Sequence, residues 1–120
     1  MNAEFSSIDL IAHLERDHVQ TYDNLSFGVV KMTKEGTVVA YNKSESEIAG
    51  VAPDKAIGKH FFTQIAPCTN NFMVAEKYTA EELDEELDYI FTYITSPTKV
   101  RLRLLKSAGY LHQYLLVQKS

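Results

Sequence analysis

A thiol, a phenol and a carboxylic acid stand out in this chain as groups able to do chemistry together. Cys68 is the sole cysteine, set between Pro67 and Thr69-Asn70-Asn71. The sequence predicts a helix start at Asn70 or Asn71. Amide N–H groups at such a start favour a thiolate, the form that attacks or is acylated. From composition alone the plainer reading, a small buried apolar side chain, has the better claim. His60 lies upstream of Cys68, but no protease motif surrounds the pair. Tyr41 and Glu45 are the second constellation. From periodicity, Glu45 reads as an exposed capping residue and Tyr41 as an aromatic at a strand end. If both instead point into a pocket, burial keeps the acid protonated, because the charged form loses hydration. Acid and phenol would then offer two strong donors to a buried oxyanion.

The elements that position these groups follow from periodicity. Residues 6–20 predict a short helix capped by Ser6 or Ser7, with Asp9 in its first turn and Ile8, Ile11, Leu14 and Val19 on one face. With few other apolar anchors, it would pack on a sheet or act as a detachable cap. Leu25–Met32 and Thr37–Tyr41 flank Thr33-Lys-Glu-Gly36 and predict a hairpin. Asn42 suits the N-cap of a following helix, with Glu45 in capping-box position and Gly50 as its stop. Pro53 opens another helical turn, which Gly58 closes. Residues 72–86 read as mainly helical, with Phe72, Met73, Ala75 and Tyr78 inward and a restart at Thr79 and Glu82. The acidic run Glu76–Asp88 is then a solvated helix face. From Tyr89 the period shortens to two. Tyr89–Ile94, Val100–Leu105 and Tyr110–Val117 predict three strands, with Lys99, Arg101 and Arg103 on a wet face. The expectation is an α+β domain, a five-stranded antiparallel sheet with helices mainly on one face and an N-terminal helical cap.

Composition narrows the function. The chain has 120 residues, a formal net charge of −4 and 45% apolar residues. That suits one globular domain over 1–120, with 1–20 as the cap. The acidic balance argues against nucleic-acid binding by bulk charge. A single cysteine excludes an internal disulfide and a multi-cysteine metal site. His13, His18, His60 and His112 show no metal-ligand spacing, so no metal is expected. Signal-peptide features and a run of about 18 apolar residues are both lacking, so the chain is expected to be cytoplasmic, with no membrane partner. No Walker loop, dinucleotide fingerprint, hydrolase elbow or haem motif is present, and an enzyme has little support.

Several blocks carry a resemblance. Leu25-Ser-Phe-Gly28, Ala40-Tyr-Asn42…Glu45…Ile48-Ala-Gly50, Pro53 to Phe62 with Ile65-Ala-Pro-Cys-Thr69, and Phe91 to Val100 resemble the photoactive yellow protein family of PAS domains. The likeness spans about residues 20–120 and is strongest from Tyr41 to Thr69. Ala-Pro-Cys-Thr after Gly-Lys-x-Phe-Phe is the most specific part.

The resemblance implies a PAS fold and p-coumaric acid (4-hydroxycinnamic acid) held as a thioester on Cys68. It implies a phenolate that accepts hydrogen bonds from Tyr41 and protonated Glu45. Ala49, Val51, Phe61, Phe62, Pro67, Thr69 and Phe91 would complete the pocket. It further implies that blue light isomerises the chromophore, Glu45 gives up its proton, and the N-terminal segment detaches to signal. The family's supporting threonine is Ala49 here, its arginine lid is Val51, and a later methionine is Thr95. Loss of the threonine hydroxyl removes a hydrogen bond worth about 0.5–1.5 kcal/mol. The phenolate pKa is therefore expected to rise. The expected partners are the chromophore and a downstream signalling protein, with the chain itself a monomer or weak dimer. The alternative is a non-photoactive PAS module that keeps the fold to bind another small ligand or a protein.

Overall fold

The computed structural model describes residues 4–92 and 97–120. Tyr93, Ile94 and Thr95, which the sequence reading assigned to a strand and to a departure from the family, lie outside the described residues. Five antiparallel strands form one sheet in the order β2-β1-β5-β4-β3. They are β1 Gly28–Thr33, β2 Val38–Tyr41, β3 Leu83–Phe91, β4 Thr98–Lys106 and β5 His112–Lys119. The β1–β2 hairpin forms as expected. Gly36 takes a positive φ of 100° in its turn, a conformation that costs glycine little.

Period-two alternation sorts the side chains of each strand onto two faces. On one face Val30, Met32, Val100, Leu102, Leu104, Leu115 and Val117 form a core with Phe61, Phe62, Val74 and Tyr78. Helices α2 Lys43–Ala49 and α3 Pro53–Ala56 belong to the connection from β2 to β3, as do a π-helical turn at Phe61–Ile65 and 3-10 turns at Pro67–Thr69 and Ala75–Thr79. On the other face Val29, Leu105, Tyr114 and Leu116 meet Phe5, Leu10, Leu14, Tyr22, Leu25 and Phe27. The expected α+β layout and N-terminal cap are therefore both present.

The N-terminal segment departs from its expected form. Helix α1 spans only Leu10–Arg16, and a 3-10 helix follows at Val19–Asn24. Asp9 occupies the N-cap position with φ 58° and makes no side-chain cap bond. Ser7 Oγ instead accepts from Glu4 N. Ile8 is 85% exposed and Val19 is 43% exposed. Leu14 is buried as expected, four residues from Leu10 on one face of α1, and the other anchors, Phe5 and Tyr22, come from the bends on either side of the helix. The segment is thus better anchored than its periodicity indicates.

The expected helix over 72–86 does not form, nor does the one at Asn70 or Asn71. Asn71 Oδ1 accepts from Met73 N and Val74 N at 3.0 and 3.2 Å, which turns the chain. Phe72 is 72% exposed and Met73 also faces outward, whereas Tyr78 is buried as expected. No helix restarts at Thr79, and Glu82 Oε1 accepts from Ala108 N. Strand β3 begins at Leu83, six residues before the period change. Leu83 and Leu87 fit one face of a helix and one face of a strand equally well, and pairing with β4 decides between them. The acidic run is therefore largely a strand face. Asp84 bonds Arg103, while Glu86 and Asp88 bond Arg101. Arg103 is not on a wet face either. It is buried and donates to Phe5 O and Ser7 O, holding down the start of the chain.

Candidate functional site

The site is built from the β1–β2 hairpin outward. Tyr41 ends β2, and Asn42 caps α2 by accepting from Glu45 N at 3.0 Å. Asn42 Oδ1 also accepts from Val29 N, fixing the first turn of α2 against β1. Glu45 then points inward across Gly28. A Cβ built on Gly28 would sit 2.3 Å from Glu45 Oε1, so glycine at this position makes room for the carboxyl. The capping reading of Glu45 is correct for its backbone. Its exposed reading is not, since the residue is 0% exposed.

Neither oxygen of Glu45 has a hydrogen-bond partner among the described residues, and Tyr41 Oη has none. A buried carboxylate without partners is costly, so the group keeps its proton. Burial raises the Glu45 pKa to about 8. Burial also raises the Tyr41 pKa well above its ordinary value, and the nearby Glu45 charge raises it further. Both groups are therefore neutral donors near pH 7, and neither is spent on a protein acceptor. An anionic oxygen between them would satisfy both, which is the chemistry of an oxyanion site. Ala49, on the last turn of α2, is buried and offers Tyr41 no hydroxyl.

Cys68 lies in the 3-10 turn Pro67–Thr69 and is partly buried. Tyr41, Val51, Phe61, Phe62, Phe91 and Cys68 belong to one apolar cluster. Phe61 and Phe62 are 5.2 Å apart edge to face, and Phe62 is 5.6 Å from Tyr78. Thr69 is buried and donates to Ala66 O at 2.7 Å, closing the turn beneath Cys68. Pro67 starts that turn and is itself exposed. His60 is committed elsewhere: Nδ1 accepts from Thr63 N, and Nε2 contacts Glu35 O at 3.0 Å. It is not free to act as a base for Cys68.

Two residues near Cys68 escaped the sequence reading. Tyr89 Oη donates to Cys68 O at 2.5 Å, and Asn71 Nδ2 donates to the same oxygen at 3.0 Å. Tyr89 was legible as a strand residue, and Asn71 was read as a helix start. Their convergence depends on β3 lying beside the Pro67–Thr69 turn, which no local pattern encodes.

No family model matches the chain. A photoactive yellow protein from Rhodothalassium salexigens is 35% identical over 89 residues, covering 71% of each chain. One from Halochromatium salexigens is 32% identical over 107 residues, covering 86% of each. Among solved structures, the photoactive yellow protein domain of the sensor histidine kinase Ppr from Rhodospirillum centenum superposes with a TM-score of 0.82 at 27% identity. It covers 90% of this chain and 98% of that one. A PAS domain of an HTR-like protein from Haloarcula marismortui, at 12% identity and TM-score 0.66, shares the fold.

Proposed function

The chain belongs to the photoactive yellow protein family, and from that premise we propose that it is a blue-light photoreceptor carrying p-coumaric acid as a thioester on Cys68. The observation that carries the reading is the pair of buried donors, Tyr41 Oη and the Glu45 carboxyl, which have no partner among the described residues, with Tyr41 in the core against which the sole thiol packs. When bound, the chromophore would supply a phenolate and a double bond that isomerises in light. Tyr41 and Glu45 would hold that phenolate by hydrogen bonds. Phe61, Phe62, Phe91, Val51, Ala49 and Thr69 would shape and dry the surroundings, which strengthens both bonds, and Pro67 would start the turn that carries Cys68. Glu45 would hold the proton in the dark and pass it to the phenolate oxygen it faces in the light. The carboxylate left behind would be buried with no partner among the described residues, a state that loosens the packing around it. The chain's role is then sensory rather than enzymatic. It would work in the cytoplasm, passing its signal through a changed surface to a partner protein.

The test is direct. Purified protein is mixed with activated p-coumaric acid, and intact mass and visible spectrum are recorded before and after blue light. The reading predicts a coloured adduct on Cys68 that bleaches and recovers, and none on a Cys68→Ala variant. A folded, reduced protein that takes no adduct contradicts it and favours a PAS module with another ligand. The loss of hydroxyl support at Ala49 has its own signature. The phenolate pKa rises, so a pH titration of the pigmented protein shows a protonated, blue-shifted fraction near neutrality. A single anionic band persisting into acid would count against that part.

A further inference from the structure

We propose that Tyr89 and Asn71 are positioning residues for Cys68, fixing the carbonyl of the thiol-bearing residue to strand β3. The proposal deepens, and rests on, the reading of Cys68 as an attachment point. The geometry is a closed triangle. Tyr89 Oη donates to Cys68 O at 2.5 Å. Asn71 Nδ2 donates to Cys68 O at 3.0 Å and to Tyr89 Oη at 2.7 Å. The phenol therefore accepts from one partner while donating to the other, an arrangement in which each bond polarises the next. The Asn71 backbone does not serve this carbonyl, because Asn71 N donates to Thr69 O instead.

Both clamp residues are themselves held. Asn71 Oδ1 accepts from Met73 N and Val74 N, so its amide cannot turn away without releasing those groups. The Tyr89 ring lies on the core side of β3, with its centroid 6.5 Å from that of Phe91, edge to face. The short 3-10 turn at Pro67–Thr69 would be a loose base for a reactive side chain if it stood alone. Bonding its carbonyl to the sheet makes it rigid. A rigid Cys68 end also forces any light-driven change of shape to act on Tyr41 and Glu45, where it would otherwise be absorbed in the turn.

Two variants isolate the clamp. Tyr89→Phe keeps the ring against Phe91 and removes one donor. Asn71→Asp keeps the acceptor for Met73 N and Val74 N and removes the other. In the pigment-free protein, alkylation of Cys68 by iodoacetamide should accelerate about threefold or more in each variant, because reactivity follows local opening. The denaturant midpoint should hold close to the parent's. In pigmented protein the band position, set at the far end by Tyr41 and Glu45, should stay put. The bleached fraction per absorbed photon should fall about threefold. Unchanged alkylation and unchanged bleaching in both variants would overturn the proposal. So would equal changes in a control, Tyr110→Phe, made outside the triangle. If the parent takes no pigment while the variants still alkylate faster, the photoreceptor reading fails and the positioning of Cys68 stands.

Discussion

Glu45 is a buried acid whose two oxygens have no hydrogen-bond partner among the described residues. Its pKa of about 8, against an ordinary 4.5, makes the pigment-free fold depend on pH. The folded state holds this proton over a window in which the unfolded chain has lost it. The contribution is thus complete below about pH 4.5 and is lost as pH rises towards 8, at about 1.4 kcal/mol per pH unit. Denaturant unfolding of pigment-free protein between pH 5 and 8 should show that slope, and Glu45→Gln should flatten it. An equal slope in both proteins would show that Glu45 is not the source. Gly28→Ala tests the same packing from the other side. Its methyl would meet Glu45 Oε1, and relieving that clash should cost about 1–3 kcal/mol of stability by thermal or denaturant unfolding. The position of Glu45 in its helix was legible from Asn42 and the capping pattern. Its burial was not, because the space it enters is set by Gly28 on another element.

At the scale of elements, α1 is tied to the sheet by more than apolar contact. Glu15 Oε1 accepts from Leu111 N at 3.2 Å, and Oε2 accepts from Tyr114 Oη at 2.5 Å. His112 Nδ1 lies 2.9 Å from Oε2 and Lys31 Nζ 3.9 Å from it. Burial works to raise the Glu15 pKa, but Tyr114, His112 and Lys31 together outweigh it and hold it below the ordinary value. The sign is opposite to that of Glu45. The stabilisation is present above the unfolded carboxylate pKa and is lost as pH falls through the lowered folded one. Glu15→Gln should loosen the cap by about 1.5–3 kcal/mol, read as faster amide exchange over α1 at neutral pH. Exchange unchanged from the parent would mean that Phe5, Leu10 and Leu14 hold the segment without it. None of this latch was readable beforehand, since Glu15 and His112 are 97 residues apart. The hairpin, by contrast, was readable because its turn and alternation are local. Strand β3 fell between these cases. Its leucine spacing is local but fits two periods, and pairing with β4, which sets Arg101 and Arg103 against its acidic residues, selects the strand.

For the whole molecule, the sheet is a shared wall. Val30 and Leu115 face the core around Cys68, while Val29, Tyr114 and Leu116 on the same strands face the N-terminal segment. The first turn of α2 adds a polar link between the two sides. Asn42 Nδ2 donates to Tyr22 O and Phe27 O, Ser44 Oγ donates to Leu25 O, and Lys43 N donates to Asp23 Oδ1. The helix that carries Glu45 is thus the one bonded to the N-terminal segment. A charge appearing on Glu45 would strain α2 first and those four bonds next, which gives a two-state element a physical bias. On continuous illumination of pigmented protein, amide exchange over residues 5–27 should rise roughly tenfold or more, with β4 and β5 changing less. A uniform rise would indicate general loosening without release of the cap.

The central claim is that a protonated Glu45 faces the phenolate of a pigment on Cys68 and loses its proton in light. Light-minus-dark infrared spectroscopy of the pigmented protein reads that proton directly. The account predicts loss of a protonated-carboxyl stretching band, gain of a carboxylate band, and absence of both changes in Glu45→Gln. A bleaching protein whose carboxyl band does not change, or changes equally in Glu45→Gln, would contradict it.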